Sequence, residues 1–287
     1  MSESLPFLKM HGIGNDFVVV GPEDAGRELD WPRLARETGD RHFGIGHDGL
    51  LLVERTAPAA AAADFRMRMF NPDGSESEMC GNGIRCFARY LYDAGLTRDT
   101  TMRIETGAGV QQVRLQTDAV GRVQTVEVDM GTPIFAAARI PVASELDLVE
   151  RQPLVVKGRR FEISAVSMGN PHAVAFVDDV ERIPLAEVGP LVERHPWFPR
   201  RVNFEVVSVQ SRTELTMRVW ERGAGMTLAC GSGACAVMAV ARRQGIVDDT
   251  VLMHLPGGDL TLRWDGSGGV SMTGPATFVY RGEWPLN

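Results

Sequence analysis

At 287 residues, with 44% hydrophobic and 23% charged content, the chain is too long for one average domain and long enough to bury two cores. A net charge of −7 and the lack of any basic run argue against a nucleic-acid partner. No apolar stretch reaches membrane-spanning length and residues 1–6 lack the features of a signal peptide, so no membrane contact and a cytoplasmic home with reduced thiols are expected.

In chain order, Phe7 to His11 and Phe17 to Val20 are expected to form a hairpin around Gly12-Ile13-Gly14-Asn15. The Gly12-x-Gly14 pair lacks the third glycine and the following helix of a dinucleotide loop. Trp31 to Thr38 is a predicted surface helix, and Leu50 to Glu54 and Phe65 to Phe70 are predicted strands. The alanine-rich stretch 57–63 between them is expected to be a tolerant loop. Asn71-Pro72-Asp73-Gly74 is a strong turn signal that delivers the chain to Cys80 and should place Asn71 near it. From Met79 to Gly95 the pattern is a cysteine on a glycine-flanked turn, then a helix with Ile84, Phe87, Ala88, Leu91 and Tyr92 on its apolar face. Gly95 is its expected left-handed stop. Strands are expected at Thr101 to Glu105, Val110 to Gln116 and Val123 to Asp129, and Pro133 to Glu150 should cross to a second repeat.

The second half follows the same plan. Strands are predicted at Phe161 to Val166, Ala173 to Val177, Phe204 to Val209 and Leu215 to Trp220, with a helix at Leu185 to Arg194. Ala229-Cys230-Gly231-Ser232-Gly233 opens a helical run, Ala234 to Gln244, closed by Gly245. Val251 to Leu255, Leu260 to Trp264 and Gly269 to Val279 are the closing strands. An offset of 150 residues relates both Cys80 to Cys230 and Gly95 to Gly245, and Gly14-Asn15 is echoed by Gly169-Asn170. Two copies imply paired similar domains, not a long array.

A cysteine at a helix start faces unpaired backbone N–H groups and the positive end of the helix dipole, which favour thiolate. Cys86 and Cys235 are expected to be buried fillers, and the spacings do not match a zinc knuckle, so no metal is expected. Two activated thiols suit a proton-transfer pair: one takes a proton from a carbon and the other delivers one from the opposite face. Two glycine-rich helix starts could hold a carboxylate and stabilise its enediolate. No cofactor is expected. The only lysines, Lys9 and Lys157, lie away from the cysteines, which weakens a pyridoxal mechanism. A binding module without turnover and a thiol-redox protein are the readings from other classes.

Asn71 to Glu76 with Met79 to Cys86 resembles the first signature of the diaminopimelate epimerase family. Ser167 to His172, Arg201 to Phe204, Glu221 to Gly225, Ala229 to Cys235 and the opening Lys9 to Phe17 match its later and earlier signatures, so the resemblance spans nearly the whole chain. It implies a pyridoxal-independent enzyme that interconverts LL- and meso-diaminopimelate in lysine and peptidoglycan precursor synthesis, with a related histidine or proline racemase as the alternative. It also implies an α/β (α+β) fold of two pseudo-symmetric domains, each a curved, mostly antiparallel sheet around a central helix, with the active site in the cleft between them. The expected domains are 1–131 with 275–287, carrying Cys80, and 132–274, carrying Cys230. Cys80 and Cys230 are the implied acid and base. Gly81, Asn82, Gly231 and Ser232 are implied to hold the reacting carboxylate, and Asn15, Asn71, Asn170, Asn203, Glu221 and Arg222 the rest of the substrate. His172 and Glu221 are implied to tune the cysteines, and the family is usually homodimeric. Gly49, Met226 and Ala173 depart from the common pattern.

Overall fold

The computed structural model describes residues 3–56 and 63–286, so most of the expected alanine-rich loop, 57–62, lies outside the described residues. The chain divides into two compact units, residues 1–128 with 274–287 and residues 129–273; the sequence placed these borders at 131/132 and 274/275.

Unit 1 begins with β1 (Ser4–Gly12) and β2 (Asn15–Val20), an antiparallel pair reversed by Ile13 and Gly14, both at positive φ. The short helix α1 (Pro22–Ala25) and the longer α2 (Trp31–Gly39) follow. Asp30 caps α2 by accepting from the Arg33 N–H, and Trp31, Leu34 and Ala35 form its buried face. Strand β3 (Gly49–Arg55) runs parallel to β2, and β4 (Phe65–Phe70) antiparallel to β3, with the two-residue β5 (Glu76–Ser77) folded back on β4. Next comes helix α3 (Gly81–Asp93). Strand β6 (Thr101–Thr106) then pairs parallel with β4, and β7 (Gly109–Thr117) and β8 (Val123–Asp129) add antiparallel steps.

Unit 2 repeats these pairings in the same order. After the edge strand β9 (Gln152–Val156), β10 (Arg159–Ser167) and β11 (Pro171–Phe176) are antiparallel. Helix α4 (Leu185–Glu193) leads to β12 (Asn203–Ser211), parallel to β11, and then to β13 (Glu214–Glu221), antiparallel to β12. The short β14 (Gly225–Met226) and helix α5 (Gly231–Arg243) take the places of β5 and α3. Strand β15 (Thr250–Leu255) is parallel to β13, and β16 (Gly258–Arg263) and β17 (Ser271–Gly274) close the run antiparallel. Strand β18 (Thr277–Pro285) then pairs with β1 in unit 1, as β9 pairs with β10 in unit 2. The expected mixed fold, mostly strand with one main helix per repeat, is what the chain adopts.

Each main helix is buried along most of its length because its sequence gives it little else to do. In α3, Ile84, Cys86, Phe87, Ala88 and Leu91 are all fully buried. In α5 the run Ala234 to Ala239 is fully buried. Each large buried side chain contributes on the order of 1.5–3 kcal/mol. Gly95 and Gly245 end the helices at φ +70° and +71°, as their positions in the sequence indicated.

Two expectations need correction. The closing run Gly269 to Val279 is two strands, because Pro275 has no N–H to donate to a ladder. The stretch Pro133 to Glu150 is more than a crossing: residues 143–148 are exposed, but Ala137, Ile140, Val142 and Val149 pack into the core of unit 2. Among the described residues, no helix is long and apolar enough to cross a membrane.

Candidate active site

In unit 1 the short connection from β5 leaves Cys80 in extended backbone at the N-cap of α3, where its sulfur accepts the Gly83 N–H at 3.4 Å. Asn15, at the start of β2, places Oδ1 3.9 Å from the Cys80 sulfur and 3.0 Å from Asn82 Nδ2. The amide of Asn15 has one permitted orientation. Its Nδ2 donates to Asp48 Oδ2 at 2.7 Å, and a carboxylate only accepts, so Oδ1 must turn toward Asn82 and the sulfur. Asp48 also accepts the Asp16 N–H and an Arg41 N–H. Below the cysteine the bed is apolar: a Cβ placed on Gly83 would meet Leu51 and Phe17 at 3.4 Å.

In unit 2 the matching elements hold Cys230 at the N-cap of α5, its sulfur accepting the Gly233 N–H at 3.3 Å. Ser232 Oγ lies 3.6 Å from that sulfur and accepts from Asn170 Nδ2 at 3.3 Å. Asn170 Oδ1 is 2.9 Å from His172 Nε2, and His172 Nδ1 is 2.7 Å from Glu205 Oε1. His172 and Glu205 are both fully buried, and Glu205 Oε2 has no hydrogen-bond partner. Glu221, at the end of β13, accepts from the Thr227 hydroxyl, and burial pushes its carboxyl upward against the pull of Thr227 and Cys230.

At Cys230 the helix start favours thiolate through the Gly233 N–H, as expected, but its surroundings outweigh that pull. Burial pushes its thiol well above the ordinary range, and the Glu221 and Glu205 carboxylates push it further; Ser232 and the Gly233 N–H pull the other way without winning. Burial also pushes Cys86 up to about 12, as suits a filler. All four cysteines are free thiols, and among the described residues no cluster of His, Cys, Asp or Glu could hold a metal ion.

The remaining expected residues divide. Asn203 joins the unit 2 group, but its amide is used on the backbone: Nδ2 donates to Pro171 O and Oδ1 accepts the Arg222 N–H. It thereby ties the strand carrying His172 to the turn carrying Arg222. The Arg222 side chain is exposed, with one N–H on Arg200 O. Asn71 closes its own turn onto Ser75, and no hydrogen bond described joins it to Cys80.

A family model described as diaminopimelate epimerase matches residues 7–136 and 164–279. A curated diaminopimelate epimerase of Desulfitobacterium hafniense is 50% identical over 281 residues, covering 97% of each chain. That of Moorella thermoacetica is 50% identical over 282 residues, covering 98% of this chain and 99% of the relative. This chain belongs to the diaminopimelate epimerase family. Among solved structures, a hydroxyproline epimerase from Agrobacterium vitis matches with TM-score 0.72 at 17% identity, covering 100% of this chain and 94% of that one. A PhzF-family phenazine biosynthesis protein from Bacillus anthracis matches with TM-score 0.68 at 16% identity, covering 99% and 100%. These last two speak to the fold alone.

The three positions noted in the sequence, Gly49, Ala173 and Met226, differ in their surroundings. Gly49 is closely packed: an added Cβ would lie 2.7 Å from the Met69 methyl and 3.0 Å from the Phe17 ring, so a side chain there requires Met69 to shift. Ala173 is fully buried, and Met226 is 51% exposed on β14. Two residues escaped sequence reasoning: Asp48, hidden in a turn, and Glu205. The signal for Glu205 was present, since a lone carboxylate interrupts the apolar run Phe204 to Val207 of a buried strand.

Proposed function

We propose that the chain interconverts LL- and meso-diaminopimelate, with Cys80 and Cys230 acting on opposite faces of one α-carbon. One thiolate takes the α-proton: the C–H bond breaks, an S–H bond forms, and the electron pair moves into the carboxylate as an enediolate. The other thiol then delivers its proton to the opposite face, and the reverse reaction exchanges the roles. Gly81, Asn82, Gly231 and Ser232 would hold the reacting carboxylate at the two helix starts, whose N–H groups also stabilise the enediolate. Asn15, Asn71, Asn170, Asn203 and Glu221 would recognise the remainder, and the exposed Arg222 suits the distal carboxylate as a bidentate partner.

The observation that carries this reading is the doubled one: in two units of matching topology, a cysteine caps the main helix and accepts the N–H of a glycine three residues on. No cofactor is required. We further propose a homodimer in the cytoplasm; Phe278, Val279 and Tyr280 on β18 are 41–50% exposed and could be covered by a second copy, which sedimentation would test.

The deciding experiment is NMR of the pyridoxal-free protein with LL-diaminopimelate in deuterated water, with L-histidine alongside. The α-proton signal should vanish as the meso isomer appears. Cys80→Ala and Cys230→Ala should each reduce this by at least about a thousandfold, the scale of losing an essential acid or base. Turnover of histidine alone would move the assignment to the racemases, and no exchange with either would remove it.

A further inference from the structure

The register of the two repeats puts different chemistry beneath the two cysteines. In unit 1, Phe17 pairs across the parallel strands with Gly49, and Leu51 lies two positions farther along β3. In unit 2, His172 pairs with Asn203, and Glu205 lies two positions farther along β12. Gly83 and Gly233, three residues after their cysteines, look onto these positions. A Cβ on Gly83 would meet Phe17 and Leu51, whereas one on Gly233 would meet Glu205 Oε1 at 2.8 Å and the Cys230 sulfur at 3.1 Å. An apolar pair under Cys80 is therefore replaced by a fully buried ionisable pair under Cys230.

The heavy-atom distances in unit 2 allow two proton arrangements. In the first, His172 Nε2–H donates to Asn170 Oδ1, and one further proton lies between Nδ1 and Glu205, so the pair is neutral overall. Asn170 Nδ2 then donates to Ser232 Oγ, which leaves the Ser232 hydroxyl hydrogen to point at the sulfur. That arrangement suits a thiolate. In the second, the pair holds one proton fewer: the one that remains sits on Nδ1 and donates to the Glu205 carboxylate, so Nε2 must accept. The Asn170 amide turns to donate to it, Ser232 donates to Asn170 Oδ1, and Ser232 Oγ can only accept. That arrangement suits the Cys230 thiol. Asn15 in unit 1 has no such freedom, because Asp48 fixes its amide.

We propose that Glu205 is a positioning residue which, with His172, holds the proton that Cys230 lacks, so that pair and sulfur share one proton and exchange it as Asn170 and Ser232 reorient. The proton leaves the pair when Cys230 gains one and returns when Cys230 is ionised, so the buried pocket keeps its net charge. The unpartnered Oε2 is consistent with this, since a permanent carboxylate there would be a costly buried charge. The charged groups acting on the sulfur are Glu221 and Glu205, with His172 behind them, facing Glu205 and Glu221, and Glu221 stays in place in the test.

The inference rests on Cys230 being a reacting thiol, and its test does not use turnover. Carbon-13 NMR of the Cys230 Cβ, in the Cys80→Ala protein, reports thiol against thiolate as pH rises. Two steps separated by more than about one pH unit are expected, as for any strongly coupled pair. Glu205→Gln, which cannot carry the charge, should leave one step. The double variant His172→Phe/Glu205→Leu copies the apolar pair of unit 1 and should also give one step, which covers the case where Glu205→Gln does not fold. A single step in the parent, or two steps in either folded variant, overturns the proposal. Two steps here, with no α-proton exchange in the protein that keeps both cysteines, would strike the proposed function and leave the proton sharing intact.

Discussion

Asp48 holds Asn15 in its one useful orientation while remaining 42% exposed in its side chain, so removing it should loosen the site more than the fold. Asp48→Ala is expected to lower kcat about tenfold, on the order of 1.4 kcal/mol, with little change in thermal stability. A rate equal to the parent's would show that Asn15 needs no such restraint. His47, buried one residue away, governs a different property. Burial first, and the nearby Lys9 charge second, pull its pKa from 6.5 down to about 4. A folded pKa below the unfolded one means that stability is fully present above pH 6.5 and is lost as pH falls through 6.5 toward 4, about 3 kcal/mol in all. Asp16 extends the same trend lower: burial raises it, but hydrogen bonds from Arg41 and Lys9 outweigh this and bring it to about 2, so its contribution is lost below about 3.8. Denaturant melts across pH should show the upper slope shrink in His47→Gln and the lower one persist. An unchanged upper slope would assign it to other groups.

The helices were the most legible elements. Their apolar spacing, the glycines after the cysteines, and Gly95 and Gly245 at the ends all reflect local rules that act within a few residues. The stops should be costly to alter: Gly245→Ala forces a Cβ into φ +71° and is expected to cost about 1 kcal/mol, read as a lower melting temperature. No change would mean the helix end relaxes freely. Elements whose identity depends on distant partners were less legible. β9 is a short edge strand defined by its pairing with β10, and β5 and β14 exist only because their hairpin partners are there. The chemistry of the site divided the same way. The N-cap geometry of both cysteines followed from spacing, but the upward shift of Cys230 comes first from burial and then from carboxylates on β12 and β13, which no local pattern brings beside α5. Asn203, expected among the substrate contacts, also binds two backbone groups, a tie that no local pattern announced.

Within each unit the architecture follows from one repeated order of antiparallel and parallel pairings, and the offset of 150 residues was its trace in the sequence. What the offset could not convey was how the copies have diverged in chemistry while keeping their register. Phe17 and Leu51 against His172 and Glu205 is that divergence at its most compact. The edge strands diverge in another way, since β9 precedes β10 in the chain whereas β18 follows β1 only after the rest of unit 1 and all of unit 2. For a chain emerging from the ribosome, this has a temporal consequence. All of unit 2 is available to fold while β1 still lacks a neighbour on its outer edge. Nascent chains stalled before residue 277 should therefore resist protease across 129–273 and be cut within 3–128, whereas simultaneous protection of both would mean that β1 waits for nothing. Unit 1, which contains the first residues made, would be the last to mature, and a ribosome that aborts late would release half a finished enzyme with an open sheet edge.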